Sequence, residues 1–121
     1  MSMKAHLLLK PYVLLVALHS VGVGLGLLLM PGLAVTIGGF PEQSTLFFMH
    51  QGGVFHLVIA GAYWMEYRRH GTVSLMVFAK TVATVFLTIS WLSGAPWLVG
   101  ASALGDGLMA AIAWWLSRGR A

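Results

Sequence analysis

Four side chains combine reactive chemistry with apolar surroundings: His19, His56, Lys80 and Asp106, one from each of four apolar stretches. Lys80 stands alone in "FAKTVATVFLTIS", about 8 to 9 residues beyond the polar string "YRRHG", which on a helix is a depth of about 13 Å. Asp106, in "ALGDGLM", sits at a comparable depth, counted back from the other end of its stretch. An isolated charge near the middle of a bilayer costs about 2.5 to 3.5 kcal/mol on insertion scales, so the two are expected to pair. His19 and His56 fall near mid-stretch by the same count. The four together are expected to form a buried polar layer able to exchange protons, hold a polar head group or fix the register of helices.

Neighbouring residues give that layer its expected supports. Thr84 and Thr88 follow Lys80 at steps of four, Ser102 precedes Asp106 by one turn, and Gln51 precedes His56. Ala103, Gly107, Ala110 and Ala111 make a small-residue face around Asp106. Gly22, Gly24 and Gly26 thin the first stretch, and Gly52 and Gly53 lie one turn from His56; small residues of this kind let helix backbones approach closely. A purely structural ion pair, with interior histidines that are merely hydrogen-bonded, accounts for the same residues. A histidine pair without further ligand spacing specifies no metal or haem. No nucleophile with a base, no paired carboxylates and no phosphate loop is present, so an enzyme is the less expected class.

The elements that must position these residues are set by composition. Hydrophobic residues make up 59% of 121, charged residues only 8%, and the mean hydropathy is +0.87; a chain so poor in charge cannot cover its own surface in water. Four stretches, 11–30, 45–67, 72–92 and 96–116, are each long enough for a hydrocarbon core about 30 Å thick. "MPG" closes the first, Ser44 is the expected N-cap of the second, "RRHG" separates the second from the third, and Pro96 suits the first turn of the fourth. The expected fold is all-α, a single four-helix transmembrane bundle.

Charge then orients it. Lys4 and Lys10 precede the first stretch, Arg68 and Arg69 lie between the second and third, and Arg118 and Arg120 follow the fourth. By the positive-inside rule both termini and the "YRRHG" loop face the cytoplasm, in an inner-membrane, multi-pass topology. The net charge of +4 is thereby assigned to topology and anionic lipid, with no nucleic-acid partner. Lys4 and Lys10 before an apolar run also resemble a signal peptide, but the run is longer than an h-region and no A-x-A site closes it. Absence of cysteine excludes disulfides and thiol redox chemistry. The five tryptophans fall toward the ends of the stretches, as an aromatic belt would.

Small four-span families offer comparison. Small multidrug transporters use a membrane glutamate in their first helix, where this chain has His19, and the glycine-rich arginine motif of fluoride channels is missing. "HQGGVFHL" (50–57) resembles the surroundings of the haem histidine in succinate dehydrogenase membrane anchors, but without their adjacent arginine. The whole pattern of hydropathy and loop lengths, with its basic loop between the second and third helices, resembles the DoxX-like group of small four-helix membrane proteins. That resemblance implies a link to membrane redox complexes or an assembly or chaperone role; the packed polar layer without a catalytic constellation favours a non-enzymatic accessory subunit, as a homo-oligomer or beside another membrane subunit in the lipid bilayer. The resemblance carries over no catalytic residue. The alternatives are a proton-coupled transporter using Asp106 and the histidines, and a haem- or metal-binding redox subunit using His19 and His56. The sequence alone names no cofactor; the ligand it best accommodates is a lipid or quinone-like molecule at the polar layer.

Overall fold

The computed structural model describes residues 3–118 and is all-α, with no strand among them. Five helices follow in order: α1 (Met3–Leu29), α2 (Pro31–Gly38), α3 (Phe47–His70), α4 (Ser74–Leu92) and α5 (Trp97–Ser117). Three of them, α1, α4 and α5, are long and apolar enough to cross a membrane. α3 has 24 residues, but His50, Gln51 and His56 dilute its apolar character. Arg120 lies outside the described residues.

Two boundaries differ from the sequence expectation for physical reasons. α1 begins eight residues before Pro11, which is accommodated inside the helix although it cannot donate to the carbonyl four residues back. The added turns are held by burial, since Ala5 and Leu9 enter the core. The second difference is α2, which forms where only a connection was expected. Met30 leaves helical geometry (φ −134°, ψ 53°) and Pro31 starts a new helix, where its fixed φ is suitable and its missing N–H is not needed. α2 ends on Gly39 in the left-handed region (φ 75°), and the Trp97 indole N–H donates to Ile37 O at 3.2 Å, tying α2 to the start of α5.

Smaller corrections concern caps. Ser44 is not the N-cap of α3: Leu46 holds that position, and Thr45 Oγ1 accepts from the Phe47 N–H at 3.3 Å. Pro96 is the N-cap of α5 rather than part of its first turn. Glu66 has a defined role at the start of α4. Its carboxylate accepts from Thr72 Oγ1 (2.6 Å) and from the N–H groups of Ser74 and Leu75 (2.9 Å each), satisfying donors that a helix start leaves open.

The four long helices form a ring in the order α1, α3, α4, α5. α1 packs along α3 and α4 along α5, while α1 meets α5, and α3 meets α4, less extensively. Neighbours run antiparallel: the first half of α1 (Ala5, Leu9, Val13) shares one core with Tyr63 in the second half of α3, Met76 at the start of α4, and Ala113 and Leu116 at the end of α5. α1 contributes a stripe of Ala5, Leu9, Val13 and Val16, at the three- and four-residue spacing of one helix face. It packs with Tyr63, Val73, Met76, Ala113 and Leu116 into a filled core at the end bearing "YRRHG". Outward, Leu15, Phe55, Phe78, Phe86 and Leu104 are exposed. An apolar exterior around an apolar core is the pattern of helices solvated by lipid.

One glycine contact sets the distance between α1 and α3. A Cβ built on Gly24 or on Gly53 would lie 2.7 Å from the other residue's carbonyl oxygen, so both positions exclude a side chain. Gly22 and Gly26, expected to thin the helix equally, have nothing within 4 Å of such an atom.

Candidate functional site

Lys80, Asp106, His19 and His56 each lie within about one turn of the middle of their helices. Lys80 is buried, and its Nζ donates to Asp106 Oδ1 at 2.8 Å, with the side chains 6% and 13% exposed. At that burial the pair is held by mutual attraction and by the cost each charge would bear alone. His19 and His56 both lie within electrostatic reach of Lys80 and Asp106.

Two cavities meet at Asp106. One, of about 420 Å³, lies between α3 and α4; it is lined by Gly52, Phe55, His56 and Tyr63 from α3, by Ala79, Lys80 and Ala83 from α4, and by Asp106. The other, of about 330 Å³, is lined by His19, Val23, His56, Leu87, Ser102 and Asp106. His56 and Asp106 line both. The second cavity adjoins an apolar chamber, also about 330 Å³, through shared walls at Val23, Leu87, Leu98 and Ser102. α2 and the segment after it cover that chamber with Ala34, Val35, Phe40 and Gln43.

The polar groups outnumber their protein bonds. Among the described residues the four side chains make one hydrogen bond between them, and the residues that carry the remaining polar groups line the cavities, Lys80 the first, His19 the second, His56 and Asp106 both. Polar groups at hydrocarbon depth cannot be left to lipid tails, so this arrangement is chemically suited to receive a hydrogen-bonding partner. Ser20 Oγ, fully buried on α1, also lacks a protein partner.

Several expected residues stand elsewhere. His19 is exposed rather than buried, at the margin of its cavity, and Ser102 is exposed as well. Thr84 faces α5: its Oγ1 donates to Lys80 O at 2.7 Å, and its methyl would lie 3.3 Å from a Cβ on Gly107. Its hydroxyl is therefore spent within its own helix. Thr88 is half-buried and lines none of these cavities, and Gln51 is exposed on the outer side of α3.

Tyr63 is a site residue the sequence reading passed over. It is 3% exposed, lines the α3/α4 cavity and lies within electrostatic reach of Asp106. Its spacing of seven from His56, two turns on one face, was the available signal. Tyr12 was missed as well. Its hydroxyl donates to Met109 O at 2.6 Å, bracing α1 against α5 just below the pair.

Among the described residues no three His, Cys, Asp or Glu side chains group as metal ligands. In comparisons with protein-family models, curated proteins and solved structures, nothing matches this chain.

Proposed function

We propose that this chain is a four-span membrane protein, α3 being the fourth span, that binds an amphipathic lipid or quinone-like molecule and acts as a non-enzymatic accessory or assembly component. The observation that carries the binding role is the polar floor, His19, His56, Lys80 and Asp106, with one hydrogen bond among its side chains, whose His19, His56 and Asp106 line a cavity that adjoins an apolar chamber. A head group would satisfy the floor and a tail would occupy the chamber. Ligand sites of a few hundred Å³ with few polar groups in apolar walls are the usual kind. The pair's opposite charges cancel locally, which favours an uncharged head carrying carbonyl or hydroxyl oxygens.

The remaining assignments belong to the same reading. Both termini and the "YRRHG" loop face the cytoplasm, on the distribution of Lys4, Lys10, Arg68, Arg69 and Arg118. Arg118 and Arg68 stack over Trp114 (4.6 Å) and Trp64 (5.8 Å), which supports an interfacial position for that end. The short connections supply little soluble surface, so partners, whether further copies or another subunit, would be met within the bilayer. The resemblance to the DoxX-like group fits an accessory role of this kind.

Native mass spectrometry of the protein extracted in mild detergent tests the proposal. Retained lipid or quinone mass that is lost in Asp106→Leu, with the fold intact, is the expected result. Wild-type protein that retains nothing and takes up no short-tailed benzoquinone would refute the binding role. A second reading, proton-coupled transport, is favoured by one feature: His56 and Asp106 line both cavities and so connect two sides of the polar layer. Substrate-dependent proton uptake into liposomes, lost in Asp106→Asn, would establish it instead.

A further inference from the structure

The α3/α4 cavity raises a question about access. Toward the "YRRHG" end the space between the helices is filled, with Leu9, Val13, Met76 and Ala113 at 0% exposure. Toward the opposite end α2 and residues 39–43 lie over the apolar chamber, with Phe40 and Gln43 among its walls. Two lateral gaps remain, one between α1 and α5 bordered by the exposed His19 and Ser102, and one between α3 and α4, the one of the two whose lining includes Lys80. These helices are consecutive in the chain, yet each packs chiefly on another partner, α3 on α1 and α4 on α5. The cleft between them has small residues on its walls, Gly52 on α3 and Ala79 and Ala83 on α4, and Lys80, His56 and Asp106 at its floor. Phe55 and Val58 at its rim are exposed and apolar, as a surface in contact with acyl chains would be.

The geometry points to this cleft as a lateral portal: an amphipathic molecule dissolved in the bilayer enters between α3 and α4 to reach Lys80, His56 and Asp106, without passing through water. The inference rests on the binding role proposed above and narrows its ligand class. A molecule entering here must partition into the membrane, carry an uncharged head able to accept from the Lys80 ammonium or donate to Asp106 Oδ2, and trail an apolar tail. Water-soluble ions and polar metabolites are excluded by the apolar rim. The small side chains are what keep the cleft open: a large residue at position 79 or 83 narrows it from the α4 wall.

The test is the rate of loading rather than affinity alone. Wild-type protein in lipid nanodiscs is mixed with a short-tailed benzoquinone, and quenching of its tryptophan fluorescence is followed in a stopped-flow instrument. Ala83→Trp, on the wall of the cleft, is expected to slow association at least tenfold. Val82→Trp, on the exposed outer side of α4, is expected to load at the wild-type rate. Ala79→Leu, one turn earlier on the same wall, carries the same prediction as Ala83→Trp and serves if the tryptophan variant does not fold. Wild-type rates in a folded Ala83→Trp or Ala79→Leu would overturn the portal while leaving the binding role standing. A wild-type protein that does not bind the probe at all removes the binding role, and the portal with it.

Discussion

Replacing Asp106 by Asn tests the central contact most directly. The substitution keeps the size of the side chain and removes its charge, leaving the Lys80 ammonium, 5% exposed, facing a neutral amide where it had a carboxylate at 2.8 Å. Breaking one side of a buried pair costs about 3 to 5 kcal/mol when the remaining charge has no relief. Here the α3/α4 cavity offers relief, since water or a head group reaching it solvates the ammonium, and the amide oxygen still accepts one bond. A loss of about 2 to 3 kcal/mol is therefore expected, near the insertion cost of one uncompensated charge. The companion variant is Lys80→Met with Asp106→Leu, which removes both charges and is expected to unfold within about 1 kcal/mol of wild type or above it. The assay is reversible unfolding in mixed micelles, arranged as a double-mutant cycle over Lys80→Met, Asp106→Leu and the pair. A coupling energy of about 2 kcal/mol or more is expected. A coupling below about 0.5 kcal/mol, with Asp106→Asn as stable as wild type, would refute the reasoning that the pair is a buried, mutually dependent contact. The same double variant separates two roles. If it folds normally and loses its ligand, the charges serve binding; if it folds and retains the ligand, they serve packing alone.

Other expectations follow from single contacts. Gly24→Ala sets a methyl 2.7 Å from the Gly53 carbonyl oxygen, and should cost about 1 to 3 kcal/mol in the same unfolding assay, whereas Gly26→Ala should be neutral or slightly stabilising. Glu66→Ala removes all three bonds at the start of α4, so amide exchange at Ser74 and Leu75 should accelerate severalfold while Leu87 and Thr88 keep wild-type protection. Tyr12→Phe deletes the 2.6 Å bond to Met109 O and should cost about 1 kcal/mol, with the α1/α5 packing otherwise retained.

Much of the architecture was legible in the sequence because the constraint is simple. A chain with 8% charge must form helices whose backbone bonds are satisfied internally, and apart from the start of α1, which runs through Lys10 and Pro11, their ends fall close to the clusters of Pro, Gly and basic residues. Depth was legible for the same reason: counting in from "YRRHG" to Lys80 and back from the end of the fourth stretch to Asp106 brings the two to one level, and a lone lysine there needs an acid. Rotation about each helix axis was not. One residue step is about 100°, and helices that are apolar on every side carry no amphipathic signal to fix their facing. Only the tertiary structure therefore decided that His19 stands at an exposed margin, that Thr84 turns to Gly107, and that Gly24 makes the close approach while Gly22 and Gly26 do not. It also decided where the cavities lie. Their position depends on α3 leaning on α1 and α4 on α5, a choice of partners made by side-chain packing across the whole bundle and written in no local stretch of sequence.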